Sequence, residues 1–230
     1  MENKQIKDGV GNLFTLRMHD VSDANDGTVM RGMLLTSPYP LDYGTGGMFQ
    51  HTAKSGIMAA GLAAGSPIYS FRWSPSSPLV AVLRRVKIAA YSVTAFTPGL
   101  ATFDLYAARS FTAQDIGGAA ANLSGNAAKL RTSMSPSLAA IQCATTLALA
   151  VAAPGSRLLD PDPLGSLMAA VTSTSPSQFS ASLLTLFDKP SGDHPLVLAA
   201  NEGFVIQATV PAAGTWSFAV TTEWDEIPGF

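Results

Sequence analysis

The histidines His19, His51 and His194 are the side chains of this sequence that most readily bind a transition metal. They lie far apart along the chain, and none stands in an HxH, HExxH or CxxC pattern, the spacings that bring two ligands to one metal. A site of cupin type would need two closely spaced histidines and a glutamate, which the sequence lacks. We therefore expect no metal site and no cofactor.

A calcium loop is the other metal site to consider, because residues 20–27 are dense in aspartate, asparagine and glycine. Asp20, Asp23 and Asp26 resemble a calcium loop in composition, but no glutamate stands at the twelfth position. The composition is typical of an exposed turn.

Acid–base or nucleophilic chemistry has few candidates. Asp160 and Asp162 are each followed by proline, which favours an extended turn. Glu223, Asp225 and Glu226 flank Trp224, and we interpret them as the solvated end of a strand. There is no Gly-x-Ser-x-Gly motif, and the single cysteine, Cys143, lies in an apolar run typical of a buried structural thiol. The sequence predicts no catalytic residues and a protein that is not an enzyme.

An aromatic group at Tyr69, Phe71 and Trp73 could stack on sugars. These side chains alternate with Ile68, Ser70 and Arg72, so they share one face of a strand. That alternation favours packing in a core.

Composition limits the partners. Charged residues make up 13% of the chain, about half the usual share, so much of the surface is expected to face other subunits. Lysine and arginine are dispersed, which argues against nucleic acid. The polar start has no secretory signal, the apolar run at 138–153 is too short to span a membrane, and one cysteine fits a reducing compartment such as the cytoplasm.

The elements that must position these residues are strands. Residues 195–227 contain two alternating runs separated by Pro211 and Gly214, and the second run places Trp216, Phe218 and Trp224 on one face. Large aromatic residues on one face of a strand need a second layer to cover them, so the segment predicts two packed sheets with these side chains in the core.

Further strands are predicted upstream. Residues 68–73 form one, and residues 79–97 and 100–110, joined by Pro98 and Gly99, form an antiparallel hairpin. Residues 138–151 and 181–187 complete about eight to ten strands of a β-sandwich or barrel. Between residues 38 and 65, glycine and proline interrupt every pattern, with a short helix expected at 55–64, and residues 126–131 are expected to form one helical turn.

The second half of the chain resembles jelly-roll virion proteins of tailed bacteriophages. The likeness lies in the Asn201–Phe204 step, the Thr209–Trp216 turn, Trp224, and weaker similarity at 128–134 and 157–160. It implies an all-β, antiparallel two-sheet β-sandwich of jelly-roll type at 66–230. An N-terminal arm and long Gly/Pro-rich loops at 1–65 would pack on neighbouring subunits. It also implies a structural protein of the particle, commonly a homotrimer.

We therefore expect a capsid decoration or cement subunit, made in the host cytoplasm and located on the capsid surface. Its partners would be the major capsid protein and other copies of itself, reached through residues 1–12 and 38–65, without nucleic acid or membrane. The alternative is a tail or fibre component that binds a host glycan through an exposed aromatic patch close to Asp or Asn. A cupin-type enzyme or small-ligand binder is the third hypothesis, and it lacks its metal ligands.

Overall fold

The computed structural model describes residues 2–7, 13–18, 47–73, 78–171, 180–188 and 194–227. The chain forms two compact units, Met1–Leu41 and Asp42–Phe230. In the first unit, β1 (Glu2–Lys7) pairs antiparallel with β2 (Leu13–Met18). The predicted loop at 20–27, with its three aspartates, lies outside the described residues.

The second unit is built from strands, and we find no helix in the described residues. In chain order the strands are β3 (Gly47–Lys54), β4 (Met58–Ala59), β5 (Ser66–Arg72), β6 (Val80–Thr94), β7 (Gly99–Phe111), β8 (Ala119–Ala120), β9 (Ala140–Cys143), β10 (Arg157–Leu159), β11 (Gly165–Val171), β12 (Ser180–Asp188), β13 (Leu196–Leu198), β14 (Gly203–Thr209) and β15 (Thr215–Ile227).

These strands form two antiparallel sheets. The first sheet has the order β12-β6-β15-β3, with β13 added on β6 and β4 on β15. The second sheet has the order β10-β7-β14-β5-β9-β8, and β11 pairs with β7 beside β10. The prediction of an all-β protein with two packed antiparallel sheets is therefore confirmed.

The core lies between the two sheets, where the predicted aromatic residues meet. The Phe71 ring, on the second sheet, packs edge-on against Trp224 of the first sheet with their centroids 5.3 Å apart. The Phe103 and Trp216 rings make a similar contact at 5.9 Å. Tyr69 and Thr222, both fully buried, join the sheets through a 2.9 Å hydrogen bond between their hydroxyl groups. Tyr69, Phe71, Trp73, Trp216, Phe218 and Trp224 are all buried, so their predicted core role is confirmed.

The predicted hairpin at 79–110 is wrong. Strands β6 and β7 exist, but they belong to different sheets, and the turn at Pro98 and Gly99 carries the chain from one sheet to the other. The step from β14 to β15 crosses in the same way. The two crossings pack together: Thr97 N donates to Ala212 O at 3.0 Å, and Pro211 lies against Gly99, where a Cβ would come within 3.0 Å of its ring.

The region predicted to be irregular differs from that expectation after residue 46. Strand β3 pairs with β15 over eight residues, and β4, not a helix, lies within 55–64. The expected helical turn at 126–131 is instead a tight turn with Ala128 at φ 63°, and it places Lys129 beside Phe49 at the edge of β3. Glycine and proline here mark bends between short strands.

The two sheets come close together at the edge formed by β11 and β12. Gly165 begins β11 in the second sheet, and a Cβ there would lie 1.9 Å from the carbonyl oxygen of Leu186 in β12 of the first sheet. A side chain at position 165 would therefore force these two edge strands apart.

Candidate functional site

The two histidines in the described residues, His51 and His194, belong to no metal-binding cluster. His51 lies on β3, half-buried, and burial lowers its pKa. His194 is exposed more than 140 positions away in the sequence, and His19 lies outside the described residues. In the part of the chain that the structure describes, no three His, Cys, Asp or Glu side chains lie close enough together to hold a metal ion.

Cys143 is 3% exposed, as predicted for a structural thiol. Burial raises its pKa to about 12, so the thiol stays protonated at neutral pH. Because the thiolate is the nucleophilic form, this cysteine is unsuited to covalent chemistry.

The two acids of the Asp160-Pro-Asp162-Pro turn have separate surroundings. Asp160 is ion-paired with Arg109, with its Oδ2 3.0 Å from the arginine Nη2. Asp162 is exposed and contributes to the electrostatic field at Tyr106. The residues between β10 and β11 form a turn, as predicted.

The acids at the end of β15 are not a solvated strand end, and that prediction is wrong for two of them. Asp225 and Glu226 are 3% and 2% exposed. Asp225 pairs with Arg84, while Glu226 accepts hydrogen bonds from Ser137 Oγ at 2.6 Å and Trp224 Nε1 at 3.1 Å. Burial raises the pKa of both carboxyl groups in spite of these partners. Their role is to fasten β6 and the loop before β9 to the last strand.

A second buried polar group lies on the outer side of the second sheet. Asp115 is fully buried and forms an ion pair with Arg157, whose guanidinium also lies 5.9 Å from the centre of the Phe111 ring. Gln114 Nε2 donates to Ser70 Oγ at 2.9 Å, which ties the same loop to β5. Burial raises the pKa of Asp115, and Arg157 opposes that shift. No sequence motif points to this pair, because its members are 42 residues apart.

The outer faces of the two sheets differ in charge. On the first sheet, Arg85 lies 3.3 Å from Asp188 and 3.8 Å from Glu223, and Arg84 pairs with Asp225. Lys54 on β3 and Lys87 on β6 stand on the same side of the sheet, with β15 between them. The more exposed pairs of Arg85 add little stability, but they keep the face hydrated.

The outer face of β11, β7 and β14, which we call the second-sheet face, has almost no charge. The alternate residues of β7 are buried, which leaves the others on the outside. The second-sheet face comprises Leu100, Thr102, Asp104, Tyr106, Ser166, Met168, Ala170, Gln207 and Thr209. Its single carboxylate, Asp104, accepts a hydrogen bond from Ser166. Leu100 and Met168 are 53% and 70% exposed, so this is an uncharged surface with apolar side chains in contact with solvent.

The second-sheet face is therefore the candidate functional site, and its arrangement suits binding. Sequence reasoning anticipated uncharged surface from the low charge content but could not locate it. The described residues contain no helix that is long and apolar enough to span a membrane. Comparison with protein-family models and with curated proteins finds no match.

Proposed function

We propose that this protein is a structural subunit of a virus particle, a decoration or cement protein that binds the shell of the major capsid protein at the capsid surface. The observation that carries the proposal is the strand arrangement. Strands β3-β15-β6-β12 face β5-β14-β7-β11, and among these eight strands the chain changes sheets at most connections. This order supports a jelly roll of two interleaved Greek keys, an architecture common among capsid and lectin domains.

The uncharged second-sheet face supports adhesion as the mechanism. Burying apolar surface contributes about 25 cal/mol per Å², and many copies on one shell multiply a weak contact. The resemblance to jelly-roll virion proteins also implies that the subunit associates with itself as a homotrimer. Residues 1–12 are the arm that we expect to reach a neighbour.

Binding to emptied capsid shells tests the proposal. The purified chain should sediment as a defined oligomer and bind shells, and Leu100→Glu should weaken shell binding because it buries a charge at the contact. Tyr91→Glu is the matched control, since Tyr91 is 52% exposed on the charged first-sheet face, against 53% for Leu100. A stable monomer without shell affinity contradicts the proposal, and equal effects of both variants contradict the choice of face.

A host-glycan receptor on a tail or fibre is the second candidate. Tyr106 is partly exposed on the second-sheet face, and its pKa is raised by burial and by the nearby carboxylates of Asp104 and Asp162. An aromatic ring can stack on a sugar, and carboxylates beside it can accept hydrogen bonds from the sugar hydroxyl groups. A glycan array with one clear binding signal, lost in Tyr106→Ala and kept in Tyr106→Phe, supports this candidate. A silent array removes it.

A further inference from the structure

Strand β11 is an edge strand of the second sheet. One side of β11 pairs with β7, and no described strand pairs with the other side. Sheet edges are normally protected by charges, proline, bulges or covering loops, because unpaired backbone groups accept a strand from another chain. The sequence of β11, Gly-Ser-Leu-Met-Ala-Ala-Val, contains no charge and no proline, and its register on β7 has no bulge.

An apolar cleft opens beside the same edge. Its lining includes Leu167 and Ala169 of β11, Leu184 of β12 and the buried Phe103 of β7. Leu184 is 40% exposed and Met168, which also lines the cleft, is 70% exposed. A strand added to β11 would therefore gain backbone hydrogen bonds and also cover apolar side chains.

We propose that β11 of a second copy of this chain occupies the edge, antiparallel to the first and related to it by a two-fold axis. The pairing that places Met168 opposite Met168 of the second copy also places Leu167 opposite Ala169 and Ser166 opposite Ala170. Every opposed pair is uncharged, so the strand is complementary to itself, and the two second sheets join into one.

The absence of charge on the β11 edge favours a second copy of the same chain over a charged partner. The edge carries no ionic group that an oppositely charged peptide or a nucleic acid could recognise. A two-fold contact of this kind buries the same surface on both molecules. It deepens the self-association in the proposed function, on which it rests, by joining two subunits or two trimers.

Charge substitution at Met168 tests the two-fold pairing directly. In Met168→Lys or Met168→Glu, two like charges would stand opposite each other at about 5 Å, which destabilises a strand pair. We expect each variant to sediment at half the mass of the unsubstituted assembly, with self-affinity at least about fivefold weaker. An equimolar mixture of the two variants should recover the full mass, because lysine then faces glutamate.

Leu158→Lys is the matched control, because Leu158 is 65% exposed on β10, the other strand that pairs with the same side of β7. It should leave the mass unchanged. Circular dichroism should give the same fold for all variants, since both side chains point mostly into solvent. The proposal is overturned if the Met168 variants keep the full mass, if their mixture fails to recover it, or if Leu158→Lys has the same effect.

Amide hydrogen exchange provides the second measurement. Protection of β11 amides should rise with protein concentration in the unsubstituted chain and stay low in Met168→Lys. Concentration-independent protection means that the chain covers its own edge, and it refutes the proposal. Shell binding is measured separately. If the unsubstituted chain pairs through β11 but does not bind shells, the result counts against the decoration function alone.

Discussion

Replacing Glu226 by glutamine should stabilise the protein at neutral pH, because Glu226 is a buried carboxyl group with no cationic partner among its described contacts. It is 2% exposed, and its hydrogen-bond donors are Ser137 Oγ, Trp224 Nε1 and the backbone at Leu138. All three donors are neutral. Removal of a carboxylate from water is only partly compensated by such donors, so burial raises the pKa of Glu226 above its ordinary value of 4.5.

The raised pKa of Glu226 determines how the stability of the protein changes with pH. A carboxyl group whose pKa is higher in the folded state binds its proton more tightly there than in the unfolded chain. Its contribution to stability is therefore fully present below pH 4.5 and is lost as the pH rises through the folded-state pKa. Glutamine has nearly the same shape, keeps an oxygen acceptor for Ser137 and Trp224, and does not ionise.

The two proteins should therefore have similar unfolding free energies at pH 4, where Glu226 is protonated. Towards pH 7 the glutamine variant should become the more stable. Asp115 and Asp225 also have raised pKa values, but they titrate in both proteins and cancel in the difference. Urea unfolding at several pH values measures the difference directly.

Glu226→Ala should, in contrast, lower the free energy of unfolding. It leaves the Trp224 N–H and the Ser137 hydroxyl without their acceptor, and each buried unsatisfied group costs about 1–3 kcal/mol. We expect a loss of about 2–5 kcal/mol at pH 4, and the loss should become smaller towards pH 7, where ionisation of Glu226 destabilises the unsubstituted protein. If Glu226→Gln is instead destabilising and its deficit grows with pH, the ionised carboxylate is stabilising and our reasoning is refuted.

Three further perturbations test contacts between the two sheets and one buried ion pair of the second sheet. A double-mutant cycle of Tyr69→Phe and Thr222→Val, measured by urea unfolding, tests the inter-sheet hydrogen bond. We expect a coupling free energy of about 1 kcal/mol. A coupling of zero would mean that the bond contributes nothing to stability. Gly165→Ala should lower the melting temperature markedly and cost about 2 kcal/mol or more, because its Cβ would overlap Leu186 O; an unchanged melting temperature would contradict the close approach of β11 and β12. Arg157→Met should cost about 3–5 kcal/mol at pH 7, because it leaves the buried Asp115 charge unpaired. Adding Asp115→Asn should recover part of that loss. If the free-energy changes of the two substitutions simply add in the double variant, the pairing is contradicted.

The faces of the strands were predictable from sequence because alternation reports burial directly. Trp216, Phe218 and Trp224 are separated by even numbers of positions in one run, and each is buried. The same alternation cannot report which sheet a strand joins, since both sheets bury one face with the same period. Pro98 and Gly99 predict a turn correctly, but a turn between sheets and a hairpin turn have the same composition.

The burial of Asp225 and Glu226 could not be predicted from their local sequence. Arg84 and Ser137, the groups that make burial tolerable, stand 141 and 89 residues away from their partners in the sequence. The local pattern of acids near a chain end is typical of a solvated strand. Only the fold brings the partners together, and the same is true of Asp115 and Arg157.

The positions of the few charged residues show which part of the surface is uncharged. A chain with 13% charged residues could distribute them evenly and remain sparsely hydrated on all sides. The first sheet carries the ion pairs of Arg84 and Arg85, and the second sheet carries those of Arg109 and Arg157, whereas β11 has no charge and the second-sheet face has Asp104 alone. The uncharged area is therefore limited to the second-sheet face and the β11 edge, which leaves this area available for protein contacts. Because the uncharged face and the uncharged edge share β11, a charge introduced at Met168 tests whether the pattern serves self-association, and one introduced at Leu100 tests whether it serves attachment to a shell.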